Sequence, residues 1–257
     1  MIGKILERKV TLIAGADNIL GKAIALEFVN RGADLAVAHY NENPAIIREI
    51  IKYVEDNDKQ SVMEIEIPRI NFDCIDSAVS NVKDKFGRID IFVNNTAGSM
   101  CKKYAFPEAD KHYKDWSEMV RRDIDGLYYW CKAVVSRAML AQNKGKIINM
   151  ATIAGIVGVT GTSYVNVSDC AIIGFTKSLA RELLKTEVRV NVVTFGLIDL
   201  DLCNRDKKRE LELIRKILPI QRLGTLQEAV QPVLFLASDM SNFVTGQILN
   251  VSGGLLI

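Results

Sequence analysis

Residues 10–22 read VTLIAGADNILGK, and this stretch decides the fold. It predicts a short buried strand at 10–14, a glycine-containing turn, and a helix from residue 20 to residue 30. A glycine turn between a strand and a helix lets backbone N–H groups approach a diphosphate, whose negative charge the helix N-terminus favours. The stretch therefore predicts the first βα unit of a sheet, with a candidate nucleotide site at its edge.

The alternation of apolar runs and amphipathic stretches continues along the whole chain. Strands separated by helices of about 10–15 residues indicate βαβ units and a parallel sheet, and the right-handed crossover rule places helices on both faces. No low-complexity linker or internal repeat interrupts the pattern. We therefore expect an α/β fold with a doubly wound parallel sheet, in a single domain over residues 1–257. The predicted strands lie at 10–14, 34–38, 62–67, 89–93, 146–150, 188–193 and 247–251, and predicted helices at 20–30, 45–55 and 77–86.

Composition and charge limit the function classes. The 257 residues are 49% hydrophobic and 25% charged, which is typical of a soluble globular protein. A net charge of +2 argues against nucleic-acid and acidic-membrane partners. Five cysteines without a C-x-x-C pair and two histidines without ligand spacing predict reduced thiols and no metal site. No signal-peptide pattern or bilayer-spanning apolar run is present, so we expect a cytoplasmic protein.

The residues Gly15, Asn18, Ile19 and Gly21 are candidate cofactor contacts in the glycine turn. Ile19 is unusual there, because a β-branched side chain adds bulk where a diphosphate passes and resists positive φ. A tight βα turn that binds nothing is the alternative to a dinucleotide site.

Further candidate contacts follow the third and fourth strands. Asp73 comes after the third strand, where a carboxylate can accept from an adenine amino group. Asn95, Ala97 and Gly98 come after the fourth strand, where small residues permit close approach of a nucleoside. Each has a structural alternative. Asp73 can cap a helix that begins near residue 75, and the asparagines can join neighbouring strands by side-chain hydrogen bonds.

Tyr40 stands at the end of the second predicted strand, in the segment HYN at 39–41. No acidic residue is placed in that segment to hold both ribose hydroxyls of NAD. A bound cofactor is therefore predicted to be NADP, with its 2′-phosphate, in preference to NAD, although no arginine completes the signal.

Later motifs extend a single pattern over nearly the whole chain. They read FGRID at 86–90, VNNTAG at 93–98, INMATIAG at 148–155, GFTKSLARE at 174–182, RVN at 189–191, PIQRLG at 219–224, FLASD at 235–239, TGQ at 245–247 and GG at 253–254. Together with the glycine turn they resemble the short-chain dehydrogenase/reductase family, in its 3-oxoacyl-carrier-protein reductase form. The resemblance implies a seven-stranded parallel sheet with three helices on each face, and assembly as a dimer or tetramer. It also implies hydride transfer between a nicotinamide and a carbonyl or alcohol.

The resemblance assigns four catalytic positions, where the family has asparagine, serine, tyrosine and lysine. In this chain they hold Asp123, Thr152, Val165 and Asp169. Thr152 keeps a hydroxyl for the substrate oxygen, and Asp123 can hold a water. Val165 cannot transfer a proton, and Asp169 reverses the charge that would favour a phenolate.

Tyr164 is the candidate substitute for the missing proton donor. It lies one residue early, which on a helix is a rotation of about 100°. Four residues further on is Ser168 rather than a lysine, and Asp169 would raise the pKa of the phenol, opposite to activation. A buried or interface tyrosine is the alternative role.

Three functions remain open on the sequence. The first is a non-catalytic member that binds NADP or NAD weakly or not at all and acts as a scaffold, a ligand sensor or a partner subunit. Such a protein would form a homo-oligomer, or a hetero-oligomer with an active paralogue. The second is an active NAD(P)(H)-dependent oxidoreductase with a rearranged site at Tyr164 or Thr152. The third uses Asp123 and Asp169 as a carboxylate pair for a lyase or hydrolase step.

Overall fold

The computed structural model describes residues 3–57, 60–97, 113–199 and 216–257. Seven strands form one parallel sheet in the order β3-β2-β1-β4-β5-β6-β7, and helices cover both faces. This confirms the predicted fold class. The strands are β1 (Val10–Ala14), β2 (Asp34–His39), β3 (Val62–Glu66), β4 (Ile91–Asn94), β5 (Lys144–Thr152), β6 (Glu187–Phe195) and β7 (Ile248–Val251).

The helices follow the strands in the alternation that the sequence predicts. The longer helices place apolar side chains on the sheet, because burial of that face is the main source of stability in a doubly wound fold. The helices are α1 (Ile19–Asn30), α2 (Pro44–Asn57), α3 (Phe72–Phe86), α4 (Tyr113–Met119), α5 (Gly126–Val134), α6 (Leu140–Gln142), α7 (Ala154–Val157), α8 (Ser163–Glu182) and α9 (Leu226–Ala237).

Two buried clusters lie on opposite faces of the sheet. Residues of α1, α2 and α9, among them Ile24 and Val233, pack on one face. Residues of α3, α5 and α8, among them Trp130 and Ile172, pack on the other. The implied arrangement of three helices on each face is therefore present in the described residues.

The order of the strands places a crevice at the carboxyl end of β1. Ala14, the last residue of β1, pairs with Ala38 of β2 on one side and Asn94 of β4 on the other. The direction of winding reverses between these two neighbours, and ligands of open α/β sheets bind outside the carboxyl ends of strands at such a switch point.

Two π-helical segments interrupt the long helical region between β4 and β5. Val120–Asp125 separates α4 from α5, and Val135–Met139 separates α5 from α6. Single π turns within helices are frequent at functional sites, because the extra residue redirects a side chain. The first segment carries Asp123, one of the four predicted catalytic positions.

The third helix begins earlier than the sequence pattern indicates. It starts at Phe72 rather than near residue 75 or 77, and Asn71 is its N-cap, with its side chain accepting from the N–H of Cys74 at 2.8 Å. The alternative in which Asp73 caps this helix is therefore wrong. Of the helices described, none is long and apolar enough to cross a membrane.

Candidate functional site

The two glycines of the first turn are required by close packing of the backbone. Gly15 has φ +75°, and a Cβ there would collide with the carbonyl oxygen of Asn95. A Cβ on Gly21 would lie 2.5 Å from the carbonyl oxygen of Gly15. Any larger residue would push the turn away from β4, so the turn is built for the close approach that a diphosphate site also needs.

Asparagine side chains hold this turn in place. Asn18 is the N-cap of α1 and accepts from the N–H of Gly21 at 2.9 Å. Asn95 donates to the carbonyl oxygen of Gly15 at 2.8 Å and to Oδ1 of Asn18 at 3.0 Å. Asn95 thus joins the end of β4 to the glycine turn, and it is Asn94 that joins neighbouring strands, donating from β4 to Oδ1 of Asn149 in β5 at 3.5 Å.

Ile19 is accommodated as the first residue of α1. It is not among the residues with positive φ, so the turn does not demand the backbone conformation that a β-branched residue resists. The objection to Ile19 on backbone grounds is therefore wrong. Its half-buried side chain still adds bulk at the N-terminus of α1.

The remaining predicted nucleotide contacts lie at the same edge of the sheet. Asp73 is exposed in the first turn of α3, and Ala97 is half-buried just beyond β4. Gly98 lies outside the described residues. Contact of these residues with a cofactor stays a prediction.

Tyr40 follows β2 directly, and its phenol turns into the protein. The phenol oxygen accepts from the indole N–H of Trp130 at 3.0 Å. Burial is the main cause that raises the pKa of Tyr40 to about 12, so the phenol is neutral at physiological pH. The side chain thus anchors the end of β2 to α5.

Acidic groups from outside residues 39–41 lie beside the segment after β2. Asp17, in the glycine turn, is 7% exposed, and its Oδ2 accepts from the N–H of Glu42 at 3.0 Å. Glu42 itself carries a second carboxylate there, 54% exposed at the side chain. The predicted preference for NADP over NAD stays a prediction, with two carboxylates now placed beside the segment on which it was based.

Arg122 lies between this segment and the catalytic positions. Its Nε donates to Oδ1 of Asp123 at 2.8 Å, and its Nη1 is 3.9 Å from Oε1 of Glu42. Its Nη2 is buried and has no hydrogen-bond partner among the described residues. A buried unpaired guanidinium nitrogen is costly, so it marks a place where a ligand acceptor or water would be stabilised.

Asp169 and Thr152 form the tightest contact among the catalytic positions. The carboxylate of Asp169 accepts from the N–H of Thr152 at 2.9 Å and from its hydroxyl at 2.5 Å. The hydroxyl oxygen also accepts from the N–H of Ala154 at 3.2 Å. A hydroxyl has one proton, and here that proton is directed at Asp169.

Close backbone packing fixes Asp169 against the end of β5. A Cβ on Gly155 would lie 2.5 Å from Cβ of Asp169, so α7 and α8 meet at this point without space for a larger residue. Asp169 is 2% exposed. Burial raises the pKa of this carboxyl, the hydrogen bonds from Thr152 oppose the rise, and the charge of Asp123 adds to it.

Asp123 is the second buried carboxyl of the site. It is 1% exposed, and it is held by Arg122 and by a hydrogen bond with Ser168 of α8. Burial raises its pKa, while Arg122 and Ser168 act in the opposite direction. Because the charge of Asp123 acts on Asp169, the predicted carboxylate pair belongs to one buried cluster.

The proton-donor position has no donor. Val165 is half-buried on α8, and only carbon atoms make up its side chain. Tyr164 lies on the backbone of the same helix, but its side chain is outside the described residues. The proposed substitution of Tyr164 for the missing tyrosine stays a prediction.

Fold and site define a doubly wound α/β protein with a nucleotide crevice beside a buried polar cluster. The family model described as "Enoyl-(Acyl carrier protein) reductase" matches residues 15–256. The chain belongs to this family of short-chain dehydrogenases/reductases. It is 33% identical over 249 residues to the 3-oxoacyl-acyl-carrier-protein reductase FabG of Salmonella typhimurium, covering 97% of this chain and 98% of the relative. It is 34% identical over 254 residues to FabG of Thermotoga maritima, covering 98% and 99%.

Solved structures agree with this assignment. NAD⁺-bound xylitol dehydrogenase superposes with a TM-score of 0.84 at 26% identity, covering 97% of this chain and 99% of the other. A short-chain type dehydrogenase/reductase from Mycobacterium ulcerans superposes with a TM-score of 0.87 at 25% identity, covering 97% and 90%.

The residues present fit the family's dinucleotide at one end only. At the adenosine diphosphate end, the tight glycine turn and the N-terminus of α1 fit a diphosphate, and the unpaired Nη2 of Arg122 fits an acceptor atom of the ligand. At the nicotinamide end the cation position is Asp169, a buried carboxylate already engaged by Thr152. Residue 169 therefore has no cationic side chain that could bind the nicotinamide ribose.

Three residues of the crevice were missed in the sequence. Asp17 and Glu42 are 25 residues apart, and Arg122 is 80 residues beyond Glu42, so their contacts depend on the folded sheet. The available signal was Asp17 itself. A carboxylate that faced a diphosphate would be repelled by it, so an acidic residue in the glycine turn indicates a side chain directed elsewhere.

Proposed function

We propose that this protein is a short-chain dehydrogenase/reductase that has lost the family's carbonyl reduction and retains a role in ligand binding or as a partner subunit. The observation that carries the proposal is the 2.5 Å hydrogen bond from the Thr152 hydroxyl to Asp169. The hydroxyl that would hold a substrate oxygen is thereby committed to the carboxylate that stands in place of the catalytic ammonium.

The chemistry of carbonyl reduction explains why this contact is decisive. Hydride addition creates an alkoxide, which must be stabilised by hydrogen bonds and then protonated. Thr152 has no second proton to offer, Val165 has none at all, and the charge of Asp169 opposes a developing negative charge nearby. Each change removes part of the acid–base machinery at the family's positions.

The proposed remaining role is supported by what the chain keeps. The glycine turn is intact, and apolar side chains are exposed on the helices beside the site, including Tyr128 of α5 and Val167 of α8. Exposed apolar groups on two neighbouring helices favour self-association or a partner. We propose a homo-oligomer (dimer or tetramer), or a hetero-oligomer with an active paralogue.

The test is turnover of a 3-oxoacyl thioester by the purified protein with NADH and with NADPH, with FabG of Escherichia coli, another relative of this chain at 32% identity, as positive control. We expect no consumption of reduced nucleotide above the uncatalysed rate. A turnover number within about a hundredfold of the control would overturn the proposal, because loss of one general acid alone costs about 10²–10⁴.

An active oxidoreductase with a rearranged site is the second candidate. It is favoured by identity of about one third with 3-oxoacyl-acyl-carrier-protein reductases over nearly the full chain. It requires Tyr164 or Thr152 to transfer a proton. Turnover by the wild-type protein separates the two candidate functions, and the same assay on Tyr164→Phe tests whether Tyr164 is the proton donor. Activity in the wild type that falls in Tyr164→Phe supports the second candidate.

A further inference from the structure

We propose that the crevice at the carboxyl end of β1 selects an adenine nucleotide whose ribose 2′-hydroxyl is free, and that Asp17 and Glu42 exclude a 2′-phosphate. The ligand class is therefore NAD or ADP-ribose rather than NADP. The inference deepens the ligand-binding role in the proposed function and rests on that role.

The position of Asp17 carries the first step. In doubly wound folds the segment after the second strand faces the adenosine ribose, where a carboxylate accepts from its hydroxyls and an arginine accommodates a 2′-phosphate. Asp17 accepts from the N–H of Glu42 in this segment at 3.0 Å. Its second oxygen, Oδ1, has no such contact among those described, so it is available to a ribose hydroxyl.

The charges around this segment carry the second step. The carboxylates are Asp17, Glu42 and Asp123, and the cation is Arg122. Arg122 donates to Asp123 and lies 3.9 Å from Glu42, so its charge is already shared by two carboxylates. A doubly charged phosphate placed here would meet an excess of negative charge, which opposes its binding.

The neighbouring cation on α1 does not change this balance. Lys22 forms an ion pair with Glu49 of α2 and is thereby directed along the outside of the two helices. His39, the last residue of β2, has its Nε2 3.2 Å from Glu64 and its Nδ1 accepting from the N–H of Asn41. Neither side chain offers the free positive charge that a 2′-phosphate requires.

The unpaired Nη2 of Arg122 points to an uncharged acceptor in the ligand. Adenine has ring nitrogens that accept hydrogen bonds, and the ribose oxygens accept as well. Either would satisfy the buried donor without adding charge to an acidic site. The same atoms are present in NAD and in ADP-ribose. We expect the nicotinamide half of NAD to add little affinity, because its ribose would meet the carboxylate of Asp169 rather than an ammonium.

The experiment is calorimetric titration of the wild-type protein with NADH, ADP-ribose, NADPH and 2′-phospho-ADP-ribose at one ionic strength. We expect NADH and ADP-ribose to bind within about threefold of one another. We expect both 2′-phosphorylated ligands to bind at least about tenfold more weakly, because of charge repulsion.

Two variants isolate the cause. Asp17→Asn keeps an acceptor for the N–H of Glu42 but removes the charge, and Glu42→Gln removes the more exposed charge. Each variant is expected to reduce the difference in affinity between NADH and NADPH. Asp239→Asn, an exposed change near β5 at the opposite edge of the sheet, should leave that difference unchanged. Thermal unfolding of the free variants shows whether the turn is intact.

The outcomes are distinct. NADPH binding as tightly as NADH, or no binding of any of the four ligands at millimolar concentration, overturns the inference and leaves the proposed loss of catalysis standing. A penalty for the 2′-phosphate supports the inference. If that penalty is accompanied by NADH binding far more tightly than ADP-ribose, the selection of the free 2′-hydroxyl holds, and the expectation that the nicotinamide half adds little to binding is overturned; the proposed loss of catalysis is tested separately by turnover.

Discussion

The carboxylate of Asp169 accepts two hydrogen bonds from Thr152, one from the backbone N–H at 2.9 Å and one from the hydroxyl at 2.5 Å. Two charge-assisted bonds between the same pair of residues join α8 to the end of β5. An ammonium at residue 169 could not make either bond, because it accepts none. The replacement of the lysine has therefore changed the connection between helix and strand as well as the chemistry.

The double variant Val165→Tyr with Asp169→Lys restores both missing groups at their family positions. We expect it to reduce a 3-oxoacyl thioester with NADH about a hundredfold faster than the wild type, the low end of what a general acid contributes. The physical reason is that the lysine lowers the pKa of the new phenol and releases the Thr152 hydroxyl. Loss of absorbance of NADH measures the rate.

The single variants are the controls for that gain. Val165→Tyr alone is expected to stay inactive, because Asp169 raises the pKa of the phenol and still binds Thr152. Asp169→Lys alone lacks a proton donor. If Val165→Tyr alone equals the double variant, the charge at residue 169 is irrelevant and the electrostatic explanation is wrong.

Asp169→Asn is expected to change the pH dependence of stability. Burial raises the pKa of Asp169 in the folded protein, so between the ordinary aspartate pKa of about 3.9 and the raised value the folded state binds more protons than the unfolded state. The free energy of unfolding of the wild type therefore falls as pH rises through that window. Asparagine removes this contribution, and urea denaturation from pH 4 to 8 measures it. Equal slopes in both proteins would contradict the assignment.

A pair of glycine substitutions separates close packing from helix propensity. Gly15→Ala places a Cβ against the carbonyl of Asn95 at φ +75°, and we expect a loss of about 2–4 kcal/mol in the free energy of unfolding. Gly174→Ala, in the interior of α8 with open space around it, is expected to gain up to about 1 kcal/mol. Denaturant titration compares the two, and a neutral Gly15→Ala would contradict the packing described for the turn.

Much of the fold follows from local sequence signals. All seven strands were predicted to within about two residues at each end, because alternation of apolar runs and helices is a local property. Counting from motifs in the same helix or strand also indicated three residues, Asp123, Thr152 and Asp169, that the structure brings into one cluster, while their catalytic role stays a prediction. The early start of α3 at Phe72, with Asn71 as its N-cap, was missed because a cap is a weaker signal than the apolar periodicity used to place the helix.

The contacts that determine the site could not be predicted in the same way. The bond between Asp17 and Glu42 joins a turn to a loop after the next strand, and Arg122 reaches them from the π segment. The sequence at 39–41 favoured NADP because no acidic residue stands within that segment, and carboxylates from other parts of the chain were not considered. Side chains that arrive from other elements depend on register and helix rotation, which a linear pattern does not contain.

Lys146 provides a final prediction, at the opposite edge of the sheet. It is 5% exposed near the start of β5, and its Nζ donates to the hydroxyl of Ser241 at 3.0 Å. Burial is the main cause that lowers its pKa from 10.5 to about 8, and the nearby cations Arg189, Lys144 and Lys9 act in the same direction. Between these two pKa values the unfolded chain binds more protons than the folded protein, so the free energy of unfolding rises with pH. At 1.36 kcal/mol for each pKa unit, the rise has an upper limit of about 3 kcal/mol.

Lys146→Met is expected to abolish this alkaline rise, because methionine fills a similar volume and carries no titrating group. Lys144→Met, on the same strand but 44% exposed at its side chain, is the matched control and should retain the rise. Urea denaturation at intervals from pH 7.5 to 10.5 measures both. A wild-type stability that stays flat or falls relative to Lys146→Met over this range would show that Lys146 keeps its ordinary pKa, with its ammonium solvated rather than enclosed between β5 and Ser241.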